Sequence, residues 1–177
     1  MVGELGLSPL TLAALAERLG VRQPSLYKHI DGIDGLQRSL ALRAKRELAQ
    51  VLARAAVGRA RDQAVAGVAR AYRAWASEHP GRYALVQSAP VAGDEEDEVA
   101  SATVVQVVLD ILAGYRLHDD DAVDATRMLR AALHGFVTLE AGGGFGLALS
   151  VDRSFERLIG AITMALSQWD SVPSDEA

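Results

Sequence analysis

The chain has 177 residues, half of them apolar, with no cysteine and a formal net charge of −5. That length suits one ordinary domain, or a small one joined to a larger one, with enough apolar residues for a sizeable core. The composition excludes a disulfide framework and thiolate metal sites, and with no 18-residue apolar run and no signal peptide a cytoplasmic protein without membrane contact is expected. Charge is unevenly spread. The first 50 residues carry seven Lys or Arg against five acids, whereas the remainder carries 11 against 18. The basic end is where a nucleic-acid contact is expected.

In chain order, Val2, Leu5 and Leu7 fit the last turn of a helix with Gly6 at its C-cap. Ser8 as N-cap and Pro9 at the first helical position predict a new helix, with Leu12, Leu15, Ala16 and Leu19 on its inner face and Glu17 and Arg18 outside. Gly20 ends it, Val21 packs under the turn, and Pro24 opens a short second helix whose inner stripe is Leu26 and Ile30. Gln23, Ser25, Tyr27, Lys28 and His29 then face outward, a surface with amide, hydroxyl, phenol, ammonium and imidazole groups and no carboxylate. Such a face suits DNA: Gln pairs with an adenine edge, Ser, Tyr and Lys hold phosphates, and the positive helix start adds to this.

Beyond Gly35 the sequence predicts helices almost throughout. Leu36, Leu40, Ala44, Leu48 and Val51 form a stripe running to about Ala56, where Gly58 breaks the helix. Val65, Val68, Ala69, Tyr72, Trp75 and Ala76 make the next stripe, ended by His79, Pro80 and Gly81, and a short helix follows to about Ser88. A Val-rich segment from about Glu95 to Tyr115 is too long for one strand and has acids at its front, so helix is expected. His118 to Asp121 reads as a helix start rather than a cation site, because adjacent residues there do not converge on a metal. Ala125, Met128, Leu129, Ala132, Leu133, Phe136 and Val137 follow at 3.6 spacing, and the last helix spans about Asp152 to Gln168. The glycine run at 142–146 has no following Lys-Ser or Lys-Thr and no preceding strand, so it reads as a flexible connection rather than a phosphate loop. DEEDE at 94–98 reads as a solvated face, and Val172 to Ala177 as a disordered tail.

SPLTLAALAERLGVRQPSLYKHI, residues 8–30, resembles the helix-turn-helix of the TetR family of bacterial regulators, closest in LGVRQPSLYKHI. AALHGFVTLEAGGGF, around Leu133, His134 and Gly135, resembles the family's WHG-type ligand domain with Leu133 in place of the tryptophan, and WASEHPGRYALV resembles its proline-containing junction. The resemblance implies an all-α fold, with a DNA-binding domain at 1–38 whose first helix is largely missing and a ligand-binding and dimerisation domain at 39–177. It also implies a homodimer whose last two helices form a four-helix interface through Phe155, Leu158, Ile159, Ile162 and Leu166. Thr11, Gln23, Pro24, Ser25, Tyr27, Lys28 and His29 would contact double-stranded DNA. Ala13, Ala14 and the acidic loop Asp31 to Asp34 stand where relatives offer polar or basic contacts, which weakens the expected grip on phosphate.

Tyr72, Trp75, Tyr83, Gln87, Met128, His134 and Phe136 are the candidates for an effector pocket, since such sites are mainly apolar with a few polar groups. His134 nonetheless reads first as a hydrogen-bonded core or interface residue, and Gly135 beside it as a site of close helix approach that favours the interface. The sequence shows no nucleophile with a base, no paired carboxylates and no metal-ligand spacing, so neither enzyme, cofactor nor metal is expected. The expected function is a ligand-responsive DNA-binding repressor released by a small apolar or amphipathic molecule. The alternative is a helical small-molecule-binding or dimerisation module that lacks DNA binding because helix one is absent.

Overall fold

The computed structural model describes residues 11–27 and 30–169. Within them run α1 (Leu12–Leu19), α2 (Gln23–Leu26), α3 (Gly32–Ala56), α4 (Arg61–Glu78), α5 (Pro80–Leu85), α6 (Glu95–Ala113), α7 (Asp119–Ala141) and α8 (Val151–Ser167). The described residues hold no strand, and the Val-rich segment is the helix its length required. None of these helices is long and apolar enough to cross a membrane.

α1 and α2 pack on one another across a turn at Gly20. Gly20 lies at φ 66°, a left-handed conformation that would strain any side chain, and its N–H closes the helix on the carbonyls of Ala16 and Glu17. Ser8 and Pro9, the expected helix start, lie outside the described residues. The cap within them is Thr11, whose Oγ1 accepts the Ala14 N–H at 3.2 Å and satisfies one of the donors left open at a helix start. Leu12 and Ala16 are buried as the periodicity required, but Leu19 and Val21 are exposed rather than turned inward.

α3 is one unbroken helix of 25 residues, about 37 Å long, and it runs through the expected domain boundary at 38/39. Its second half enters the core, where Ala44, Leu48 and Leu52 meet α4 and α6, while Leu40 stays exposed. Val65 and Val68 of α4, Leu112 of α6 and Leu129 and Leu133 of α7 complete the same core.

α8 closes the bundle. Phe155, Ile159, Ile162 and Leu166 recur at helical spacing, and each is at most 4% exposed. These residues were expected to meet a second subunit, but α4 and α7 of the same chain cover them; only Leu158 among the five remains half-buried. The strongest apolar stripe of a helix goes first to closing its own core, because the burial of each large side chain contributes about 1.5–3 kcal/mol. The opposite side of α8 presents Gly160, Ala161 and Met164, the last 63% exposed.

Aromatic contacts pin the connection into α8. Phe136 lies 4.8 Å from Phe145 and 4.9 Å from Phe155 by ring centroids. The Arg73 guanidinium stands 4.8 Å above the Phe155 ring while pairing with Glu140 and with Asp152. The glycine-rich connection is therefore tied down at Phe145, although Leu147 and Leu149 beyond it are exposed. At the far end of α8, Trp169 Nε1 donates to Asp121 at 3.0 Å.

Phe155→Ala is expected to lower unfolding free energy by about 4 kcal/mol in urea denaturation, as for a fully buried aromatic. A loss below about 1 kcal/mol would place the ring outside the core.

Candidate functional site

The first candidate surface is α2. Its four residues carry no acid, Pro24 lies in its first turn, and Gln23, Pro24 and Ser25 are all exposed. Tyr27, at the C-cap, is 57% exposed, and Leu26 is half-buried, so the expected division into an inner and an outer face holds over this turn. Lys28 and His29 lie outside the described residues. Thr11 is exposed, but its hydroxyl oxygen already serves the α1 cap.

The second is a cavity of about 170 Å³ between α3, α4, α6, α7 and the segment 86–90. Leu48 and Leu52 of α3, Val68 of α4, Val104 and Val108 of α6, and Leu129 and Leu133 of α7 make its apolar wall. Val105, Ser88, Ala89, Pro90 and Arg130 line it and are exposed, so the cavity opens there. Ser101 also lines this cavity; its hydroxyl is fully buried and has no hydrogen-bond partner.

Of the expected pocket residues the structure brings Tyr72 and Gln87 to this cavity. Tyr83 and His134 stand behind Tyr72: the Tyr72 hydroxyl donates to that of Tyr83 at 3.0 Å, and the Tyr83 hydroxyl shares a hydrogen bond of 2.6 Å with His134 Nδ1. Burial pushes the Tyr83 phenol well above its ordinary range, so it stays protonated. Trp75 is buried in the core with its N–H on Glu47, Met128 packs against the core, and Phe136 belongs to the aromatic contacts at α8. Large aromatic side chains fill space, so the cavity forms where α6 offers valine and serine instead. Gly135 meets nothing within 4 Å of where a Cβ would stand, so it makes no close helix approach within the chain.

A set of ion pairs binds the mouth of the cavity to α3. Asp97 is buried and accepts Lys45 Nζ at 2.5 Å and the Val91 N–H at 3.1 Å. Asp94 caps α6 by accepting the Asp97 N–H at 3.2 Å and takes Arg38 Nη2 at 2.6 Å. Glu96 takes Arg46 at 2.6 Å and Arg38 at 3.1 Å. Asp94, Glu96 and Asp97 thus clasp three cations of α3, while Glu95, Glu96 and Glu98 keep the solvent exposure the composition suggested and only Asp97 is buried. The Arg38 guanidinium holds the Asp94 carboxyl down to about 2, and Lys45 lowers Asp97 more than its burial raises it.

A family profile described as a tetracyclin repressor-like C-terminal domain matches residues 65–162, more than half of the chain. The chain belongs to the TetR family of transcriptional regulators. This TetR-family chain is 40% identical over 139 residues to the HTH-type transcriptional regulator Rv0681 of Mycobacterium tuberculosis, spanning 78% of the chain and 64% of that protein's length. It is 37% identical over 144 residues to the HTH-type transcriptional regulator YobS of Bacillus subtilis, covering 79% and 73%. Its fold matches the crystal structure of the regulatory protein SCO4313 with a TM-score of 0.73 and 30% identity, over 89% of this chain and 87% of that one. A Rhodococcus protein of unknown function matches at TM-score 0.77 and 25% identity, over 93% and 89%. None of these four matches specifies the WHG subtype.

The clasp fixes a pH dependence. Asp94 and Asp97 have folded-state values below their unfolded ones, so their contribution is fully present above about pH 4 and is lost as pH falls through the lowered values. The urea midpoint is expected to drop between about pH 4 and pH 2, and Asp94→Asn to flatten that slope. An unchanged slope would mean that the Arg38 pair does not outlast solvation.

Proposed function

We propose that this chain is a ligand-responsive, homodimeric DNA-binding repressor acting in the cytoplasm. One observation carries the reading: the apolar cavity is walled by Leu48 and Leu52 of α3, the helix that also leads out of the helix-turn-helix segment. A molecule seated there presses on α3, and a shift of α3 changes where the α2 segments of two subunits meet successive major grooves. Ligand and DNA then disfavour one another by the same factor. Gln23, Pro24, Ser25 and Tyr27, with Lys28 and His29 after them, supply the DNA face. Sequences 1–38 and 39–177 serve as the reading unit and the sensing unit, with α3 shared between them.

The dimer surface that fits this reading is the outer side of α7 and α8. Gly135 and Gly160 each face open space, and Leu139 and Met164 are exposed beside them. Two small residues on neighbouring helices let a second pair of helices approach closely, and the exposed apolar groups provide the contact.

Binding to DNA flanking the chain's own gene, measured across a salt series, tests the central claim. Sequence-specific affinity that falls steeply with salt is expected, with Gln23→Ala relaxing preference at one base pair at a cost of about 1–3 kcal/mol. No specific binding under any salt condition would favour the DNA-independent sensing module. Ala161→Glu is expected to give folded monomers by sedimentation. A dimer unaffected by it would move the interface off α8.

A further inference from the structure

The geometry points to a monocarboxylate with a short apolar tail as the molecule the cavity takes. This inference rests on the reading of the cavity as the effector site and adds the charge and size of its occupant. Two cations, Lys45 and Arg130, are among the described residues lining the cavity, and no carboxylate is. Lys45 is neutralised from behind by Asp97, which does not line it. Arg130 pairs with no acid among the described residues. It gives one hydrogen bond at 2.6 Å to the backbone carbonyl of Gln87, which holds it at the exposed rim. A guanidinium has five N–H donors arranged for a carboxylate, so this contact leaves it able to receive one. The sign matters because the chain as a whole is acidic: an anion is attracted to Arg130 at this opening against the net charge, and a cation is repelled by it.

Ser101 also lines the cavity, with its hydroxyl buried and unpaired, and is not part of the head-group site at the rim. The rest of the wall is mainly aliphatic, and the polar side chains of Tyr72, Gln87 and Thr126 in it already donate to partners within the chain. The size follows from the volume. A cavity of about 150 Å³ takes benzene, so 170 Å³ with an open mouth holds a tail of about six carbons while the head group lies at the rim.

Isothermal titration of the full chain with hexanoate, hexanol and hexylamine tests this directly. Hexanoate is expected to bind most tightly and hexylamine not at all. Arg130→Gln, a change at an exposed position, is expected to weaken hexanoate about tenfold and leave hexanol unchanged. If hexanol matches hexanoate and Arg130→Gln alters neither, the carboxylate assignment falls while the cavity remains a binding site. If none of the three binds, the assignment and the reading of the cavity as an effector site fall together.

Discussion

A lysine and an aspartate that face one another inside a helical bundle constrain everything attached to them, because neither can give up its partner without leaving a charge in a poorly solvated place. Lys45 and Asp97 are 4% and 7% exposed, and their contact joins the middle of α3 to the first turns of α6. Such a pair adds little net stability over well-packed apolar residues, since desolvation offsets most of the attraction. Its effect is on register. Asp97 also holds the Val91 N–H, and Asp94 one turn earlier caps α6 and holds Arg38, so one short acidic segment fixes a helix start, a loop and a neighbouring helix together.

Cavity and linker helix are coupled by this arrangement. The segment 86–90 forms the mouth of the cavity, Val91 is tied to Asp97, and Lys45 lies both in the cavity lining and in the pair. An occupant that moves the mouth therefore acts on α3 through ion pairs as well as through the packing of Leu48 and Leu52. On the other side of the cavity, the chain of hydroxyls from Tyr72 through Tyr83 to His134 links its wall to α7, and α7 with α8 carries the outer surface suited to a second subunit. Under the proposed function, the cavity thus touches elements leading both to the DNA-reading helix and to the subunit contact.

Helices were largely legible in the sequence, because their signals are local. Gly20 and Gly58 mark turns that need positive φ, the His79-Pro80 step separates α4 from α5, and acids open α6 and α7. What the sequence hid was which surface each stripe meets. The Phe155, Ile159, Ile162 and Leu166 stripe is apolar whether a second copy or the chain's own core covers it, and periodicity carries no information on that choice. The acidic run at 94–98 looked solvated because its partners Arg38, Lys45 and Arg46 lie some fifty residues away, a pairing that only tertiary structure creates. Aromatic residues drew attention as pocket candidates, yet a cavity survives where side chains are too small to fill it. Ser101 amid the valines of α6 was the available signal, a hydroxyl on a face otherwise suited to a core.

The measurement that bears most directly on this account is hydrogen exchange of the Asp97→Asn variant against the unaltered chain, resolved by peptide. If the Lys45–Asp97 pair makes the cavity mouth and the linker helix one cooperative unit, protection falls together across residues 88–101 and 38–48. Loss confined to 88–101, with α3 as protected as before, would contradict the coupling on which the account depends.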